Sequence, residues 1–300
     1  MKIPFRNVIA YIYSLYLIYF GKLKSLKDKC NRSEIILSVY FHNPSKELFK
    51  KCIDWFLKNK FQFISTEDLR KIIVDHSDFP KSAVVITIDD GWKENNENVF
   101  LLAKKYNIPI TLFATTEPIE TNGKFWWTII ANSRKNIIQN KKIEALKIVP
   151  NEVRLKQLQS ANQISKMECD TITKDELIEL SKTKHINIGS HTITHPILTM
   201  CKDNVSEFEI SESKKILEGW LHHTVTQFAY PNGDYSEREC AFLNKSGYNI
   251  AFTTHPKYIH KVNSIDVFQI PRFGVVDNIP FTENLCRMTG IWYERKNYNK

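Results

Sequence analysis

Ala83-Val84-Val85-Ile86-Thr87-Ile88-Asp89-Asp90-Gly91 is an unbroken apolar and β-branched run closed by two carboxylates and a glycine. A run of this kind, without polar alternation, is the pattern of a strand covered on both faces, which is how strands of parallel α/β sheets read. A second one, Ile186 to Ser190, leads into His191-Thr192-Ile193-Thr194-His195-Pro196. In parallel α/β folds the sites gather at the carboxyl ends of strands, and both polar sets fall there. Asp-Asp-Gly alone is ordinary turn chemistry and a histidine pair alone is common on loops, so it is their conjunction that carries meaning.

The rest of the chain continues the alternation. Helices are expected over 45–60, capped by Ser45 with Leu48, Cys52 and Phe56 on one face, from Ser65 onward, from Gly91 to Tyr106, and over 173–182, 205–220 and 236–246. Strands are expected at 61–64, 108–114, 225–229 and 249–254. With 300 residues, 42% of them hydrophobic and 25% charged, the chain suits one α/β barrel. No repeat or low-complexity segment interrupts it.

Two imidazoles and one carboxylate fill three positions around a divalent cation and leave one for water, which is the catalytic rather than the structural pattern. Zinc fits this set best, and cobalt, nickel or iron also accept it. Side chains adjacent on a strand point in opposite directions, so one of Asp89 and Asp90 binds the ion and the other is free to act as general base.

These residues resemble the polysaccharide deacetylases with the NodB homology domain, carbohydrate esterase family 4. The family's Thr-Phe-Asp-Asp-Gly stands here as Thr87 to Gly91 with Ile88 for Phe, and its His-Ser/Thr-x-x-His as His191 to His195. Its Arg-x-Pro-Tyr-Gly is matched loosely by Phe228-Ala229-Tyr230-Pro231-Asn232-Gly233. The resemblance runs from about Glu34 to about Val276. It implies a distorted (β/α) barrel of about seven parallel strands, with Asp89 as base and Asp90, His191 and His195 as metal ligands. It further implies that the Tyr230 backbone N–H faces the oxyanion. The family's third-motif arginine, which orients the base, is absent, and Arg272 in Ile270-Pro271-Arg272-Phe273-Gly274 is the expected replacement. The family's late Leu-x-His strand is absent too. The strand-like run 35–41 ends at His42, resembling the biofilm poly-N-acetylglucosamine deacetylases, whose acid-bearing strand lies early in the chain; His42 is therefore the expected acid and His255 the reserve. The implied reaction is removal of an N-acetyl group from an amino sugar of a surface polysaccharide or its lipid-linked precursor. A hydrolase of a small non-sugar amide and a silent glycan-binding protein are the competing readings.

Three further regions bear on partners. Residues 1–30 form a separate element ahead of a catalytic domain over 31–300. Within it 8–20 is nearly all apolar and aromatic, followed by Lys22, Lys24, Lys27 and Lys29. At this length it is too short for the ~20 residues of a bilayer span and lacks a signal-cleavage pattern, which leaves an interfacial helix on anionic lipid or a helix packed on the barrel. An insertion at about 117–170 carries Phe125-Trp126-Trp127, aromatics suited to core packing or to stacking on a sugar, and a basic helical stretch at 141–166 of the kind that usually forms a solvated face. The net charge of +9 suits an anionic membrane, phosphate or glycan, and no nucleic-acid motif accompanies it. Six singly spaced cysteines read as reduced thiols of a cytoplasmic protein, and the interfacial-helix reading of residues 1–30 would associate it with the membrane's inner face.

Overall fold

In the computed structural model, residues 4–133, 138–162, 169–261 and 266–294 are described. The strands are β1 (Ile35–Phe41), β2 (Gln62–Phe63), β3 (Ala83–Asp90), β4 (Ile110–Ala114), β5 (Ile186–Ser190), β6 (Gln227–Ala229), β7 (Ile250–Phe252), β8 (Ile259–His260) and β9 (Phe273–Gly274). The parallel path runs β7-β6-β5-β4-β3-β1, and β9 adds to β1 with Val39 opposite Phe273. Just before β9, Ile270 bridges Phe252 of β7, donating its N–H to Ala251 O at 2.9 Å and accepting from Thr253 N–H at 2.8 Å. The segment 270–274 thus touches both margins of the sheet and closes it. Among the described residues the result is a distorted barrel of seven parallel strands, with β2 beside the start of β3 and the antiparallel β8 beside the start of β1 outside the ring.

Every residue of β3 is buried, as its unbroken apolar run requires. Its pleat sorts the side chains: Ala83 and Val85 join one core cluster with Phe113, Phe252 and Ile270, while Val84, Ile86 and Ile88 join the larger cluster shared with the surrounding helices. Full burial of each such valine, isoleucine or phenylalanine side chain stabilises by roughly 1.5–3 kcal/mol.

Several helices start where their caps direct. Ser45 accepts from Leu48 N–H ahead of Lys46–Lys58, and capping boxes Ser65/Asp68, Thr173/Glu176 and Ser236/Glu239 open Thr66–Val74, Lys174–Ser181 and Glu237–Lys245. Each cap contributes about 1 kcal/mol. The helix expected directly after Gly91 begins only at Asn96, because the intervening backbone is paired elsewhere: Trp92 bridges Thr171, and Lys93 N–H donates to Asp170 O at 2.9 Å. That pairing fixes Trp92 beside the end of β3.

The early apolar segment is the helix Phe5–Tyr19, joined through Gly21 at φ 79° to Lys22–Asn31. The insertion contributes the helices Trp126–Ser133, Ile138–Lys147 and Asn151–Asn162, which share a small core of Trp126, Ile130 and Leu146. Lys2 and the 163–166 end of the basic stretch lie outside the described residues. All six cysteines are free, and burial pushes the thiols of Cys30, Cys201 and Cys286 up to about 12.

Candidate active site

Asp90, His191 and His195 converge from the ends of β3 and β5. Each offers a ligand atom, and these atoms lie within 4.8 Å of one another, all three residues being buried. Asp90 Oδ1 is 3.5 Å from Nε2 of His191 and 3.5 Å from Nε2 of His195, too far for a good hydrogen bond, and among the described residues this oxygen has no hydrogen-bond partner. His191 Nδ1 lies 2.7 Å from Ala229 O, a carbonyl that only accepts. The proton therefore sits on Nδ1, and the Nε2 lone pair is aimed at a carboxylate oxygen. Two electron-rich atoms facing each other in a buried site call for a cation between them, so the donor set fits a divalent metal. Burial, with His191 next, holds the His195 imidazole well below its ordinary value, and His195 is thereby kept as a neutral donor. Burial works to raise the Asp90 carboxyl, but once the imidazoles are protonated a hydrogen bond from His191 and the positive charges of His42, His195 and His191 outweigh it and hold it below the usual carboxylate range.

The backbone around this set is bent into unusual conformations. Asp90 has φ 76°, Thr192 φ 70° and His195 φ 53°, left-handed values that cost non-glycine residues energy and persist only where the surroundings enforce them. At Asp90 the turn breaks the strand alternation and swings the carboxylate into the site. At the histidine loop, Glu209 accepts from Ile193 N–H at 2.8 Å, Thr194 N–H at 3.0 Å and the Thr194 hydroxyl at 2.6 Å. The His195 carbonyl accepts from Arg154 Nη1 at 2.8 Å and Trp126 Nε1 at 3.1 Å. Trp92 Nε1 donates to the second Asp90 oxygen at 2.8 Å.

Asp89, the neighbour of Asp90, is held by Arg272 rather than being part of the ligand set. Both its oxygens meet Arg272, at 2.7 and 2.8 Å, and the guanidinium also donates to Thr87 Oγ1 at 2.9 Å and Thr253 O at 2.8 Å. The Tyr40, Phe113 and Phe252 rings surround the guanidinium at 4.6 to 5.8 Å. Arg272 reaches Asp89 because it lies on the segment that closes the barrel.

His42, just past β1, lines the cleft over the metal set together with Asp90, Trp92, Trp126, Trp127, His195 and Asn232; the cleft holds about 250 Å³. His255 is not among the cleft-lining residues; its ring lies 5.7 Å from Tyr235. The expectation for Tyr230 is corrected. Its N–H donates to Phe252 O at 3.1 Å, extending the β6–β7 pairing by one residue, and its hydroxyl donates to Phe268 O at 2.9 Å. Tyr230 is wholly buried, whereas Asn232, two residues on and at φ 60°, reaches the cleft. Gly233 must lack a side chain there, since a Cβ would stand 2.6 Å from Thr254 N.

The insertion covers the other side of the cleft. Trp126 is buried, and the Trp127 ring stands edge-on to His195 at 4.6 Å. The basic stretch is more than a solvated face: Arg154 is buried against the Trp126 ring, and Lys147 lines the cleft. Sequence reading missed Trp92, Arg154, Glu209 and Asn232. Only Asn232 carried a local signal, its place before Gly233 in the third motif.

Fold and site together define an α/β barrel bearing a carboxylate–imidazole metal set at its strand ends. Residues 76–251, more than half of the chain, match the family model described as Polysaccharide deacetylase, and the chain belongs to that family. It is 22% identical over 213 residues to the YxkH protein of Bacillus subtilis (strain 168), spanning 71% of this chain and 59% of that relative's length. It is 23% identical over 259 residues to the poly-beta-1,6-N-acetyl-D-glucosamine N-deacetylase of Staphylococcus aureus (strain N315), covering 80% of this chain and 73% of that one. The Streptococcus pyogenes deacetylase PplD, solved in complex with acetate, shares the fold with a TM-score of 0.60 at 17% identity, over 85% of this chain and 97% of that one.

Proposed function

We propose that this protein hydrolyses N-acetyl groups from amino sugars of a polysaccharide or of its lipid-linked precursor, releasing acetate and a free amine. The observation that carries the reading is the division of labour between neighbouring carboxylates: Asp90 sits in the ligand set while Asp89 is held apart by Arg272. The family membership and the similarity to a poly-beta-1,6-N-acetyl-D-glucosamine N-deacetylase support the substrate class.

Asp90, His191 and His195 would hold a divalent cation, zinc on this reading, which would supply Lewis-acid activation of water and polarisation of the acetyl carbonyl. Asp89 takes the proton of the attacking water. A carboxylate has about four lone-pair positions, and the Arg272 fork occupies two, so two remain for this task. Asn232 lines the cleft, and on this reading its backbone N–H donates to the developing oxyanion. His42, on the same wall, protonates the departing nitrogen, which is required because an amide anion is a very poor leaving group. Trp127 and Trp92 offer faces on which a sugar ring stacks.

The test is acetate release from N-acetylglucosamine oligomers, with cyclic amides as the competing substrate, before and after chelation. Wild-type protein is expected to release acetate from the oligomers and to lose that activity on chelation. Asp89→Asn is expected to retain metal while turnover drops by about 10²–10⁴, whereas His191→Ala loses metal and turnover together. Full activity in Asp89→Asn, or hydrolysis of the cyclic amides alone, rejects the reading.

A further inference from the structure

The helix Phe5–Tyr19 presents apolar side chains on two opposite faces, only one of which is covered among the described residues. Ala10, Ser14 and Leu17 are buried against the helix Phe281–Met288, with Ser14 Oγ 2.7 Å from Thr282 Oγ1, Arg6 paired with Glu283, and the Tyr13 ring edge-on to Trp292 at 5.2 Å. The opposite face is a stripe spaced at three and four residues: Phe5, Ile9, Ile12, Tyr16 and Tyr19 are 79%, 53%, 62%, 41% and 86% exposed. Val8, Tyr11 and Leu15 flank it, also exposed, and Phe20 extends it. A helix on the surface of a water-soluble protein ordinarily turns polar residues outward.

The charged residues that follow this stripe in the chain are mainly basic. No acidic residue precedes Asp28, while Lys22, Lys24, Lys27 and Lys29 follow the stripe directly. Arg6 and Lys22 are engaged with Glu283 and Glu294, and Lys24 is exposed to solvent.

We infer that this face docks on an anionic lipid bilayer, the stripe entering the headgroup and upper acyl region and the lysines meeting lipid phosphates. Charge decides between this occupant and a second copy of the chain. A two-fold interface would set the lysine cluster close to its own copy, whereas an anionic surface neutralises it. Tyr11, Tyr16 and Tyr19 suit the headgroup level, having a polar tip on an apolar ring. Fifteen helical residues span only about 22 Å, less than the ~30 Å hydrocarbon core, and no helix among the described residues is long and apolar enough to cross a membrane. The helix therefore lies in the interface. Its Phe5 end is at the barrel end that carries the cleft: Asn7 donates to Asn278 O at 3.1 Å, and neighbouring Asp277 accepts from Ser45 N–H at 2.9 Å, three residues past His42.

The experiment is vesicle flotation of the full chain with phosphatidylcholine alone and with phosphatidylcholine plus phosphatidylglycerol, at low and high salt. Wild-type protein is expected to float with the anionic vesicles at least roughly tenfold more than with neutral ones, and to be released by salt. The double variant Ile9→Asp, Ile12→Asp alters only the exposed stripe; it is expected to keep the wild-type thermal midpoint and stay off the vesicles. Lys24→Glu weakens anionic binding selectively. Wild-type protein that ignores both vesicle types, binding that the stripe variant leaves intact, or a dimer in light scattering that the stripe variant dissociates would each overturn the inference.

Discussion

Arg272 and Asp89, 183 residues apart in sequence, meet through two hydrogen bonds of 2.7 and 2.8 Å in a pocket closed to solvent. The pair links the strand that closes the barrel to the strand that carries the proposed base, so closure of the fold and alignment of the site are one event. Removing the cation leaves a buried carboxylate unpaired, which costs about 3–5 kcal/mol. Arg272→Ala is expected to lower the urea midpoint accordingly and to abolish acetate release. Arg272→Lys keeps the charge without the fork and is expected to recover part of the stability and little of the activity. Equal midpoints for wild type and Arg272→Ala would show that the pair does not hold the barrel closed.

The two histidines considered as acid are separated by the cleft, which His42 lines and His255 does not. His42→Gln is expected to lower kcat by about 10²–10⁴ with little change in metal content or folding. His255→Gln is expected to stay within a few-fold of wild type. Steady-state acetate release from both variants decides the assignment, and the reverse pattern would transfer the role to His255.

Asn232 holds φ 60° at the cleft wall. Glycine adopts this conformation freely and keeps the backbone N–H, so Asn232→Gly is expected to retain kcat within a few-fold. A β-branched residue does not tolerate it, and Asn232→Val is expected to cost about 1–3 kcal/mol of stability and most of the turnover. Were the Asn232 side chain rather than its N–H the working group, Asn232→Gly would be inactive.

Acid should loosen the metal-free protein in a defined window. Burial and His191 hold the His195 pKa well below its ordinary 6.5, so between those values the unfolded chain binds a proton that the folded chain refuses. Stability therefore rises with pH across this window and is lost as pH falls through it. Asp90, whose folded pKa is also depressed, acts in the same sense below its ordinary 3.8. The urea midpoint of chelated protein is expected to decline as pH is taken from about 7 to about 5, and His195→Gln is expected to flatten that decline. Metal retention should fall over the same range, since a protonated imidazole cannot ligate.

The sequence by itself determined most strands of the parallel sheet and several helix caps and offered the residue types of the candidate metal site, but not β8 or the closing β9. β3 was legible because burial on both faces demands an unbroken apolar run, and Ser65 with Asp68 because a capping box spans one helical turn. The histidine pair was legible because both residues sit on one short loop, whereas the left-handed backbone at Asp90, which departs from a strand's two-residue period, was not. Tertiary structure alone decided what surrounds them. Arg154 and Glu209 hold the His191–His195 loop from helices of the insertion and of Asp203–Leu221, and nothing in their local patterns marks them. Tyr230 and Asn232 stand two residues apart in one motif, yet the β6–β7 ladder takes up the first and leaves the second at the cleft. The physical reason is common to these cases. Periodicity and capping act within a few residues and leave their mark on the chain, whereas the partner of a buried charge or of a backbone N–H is chosen by which remote segment the closing barrel brings alongside.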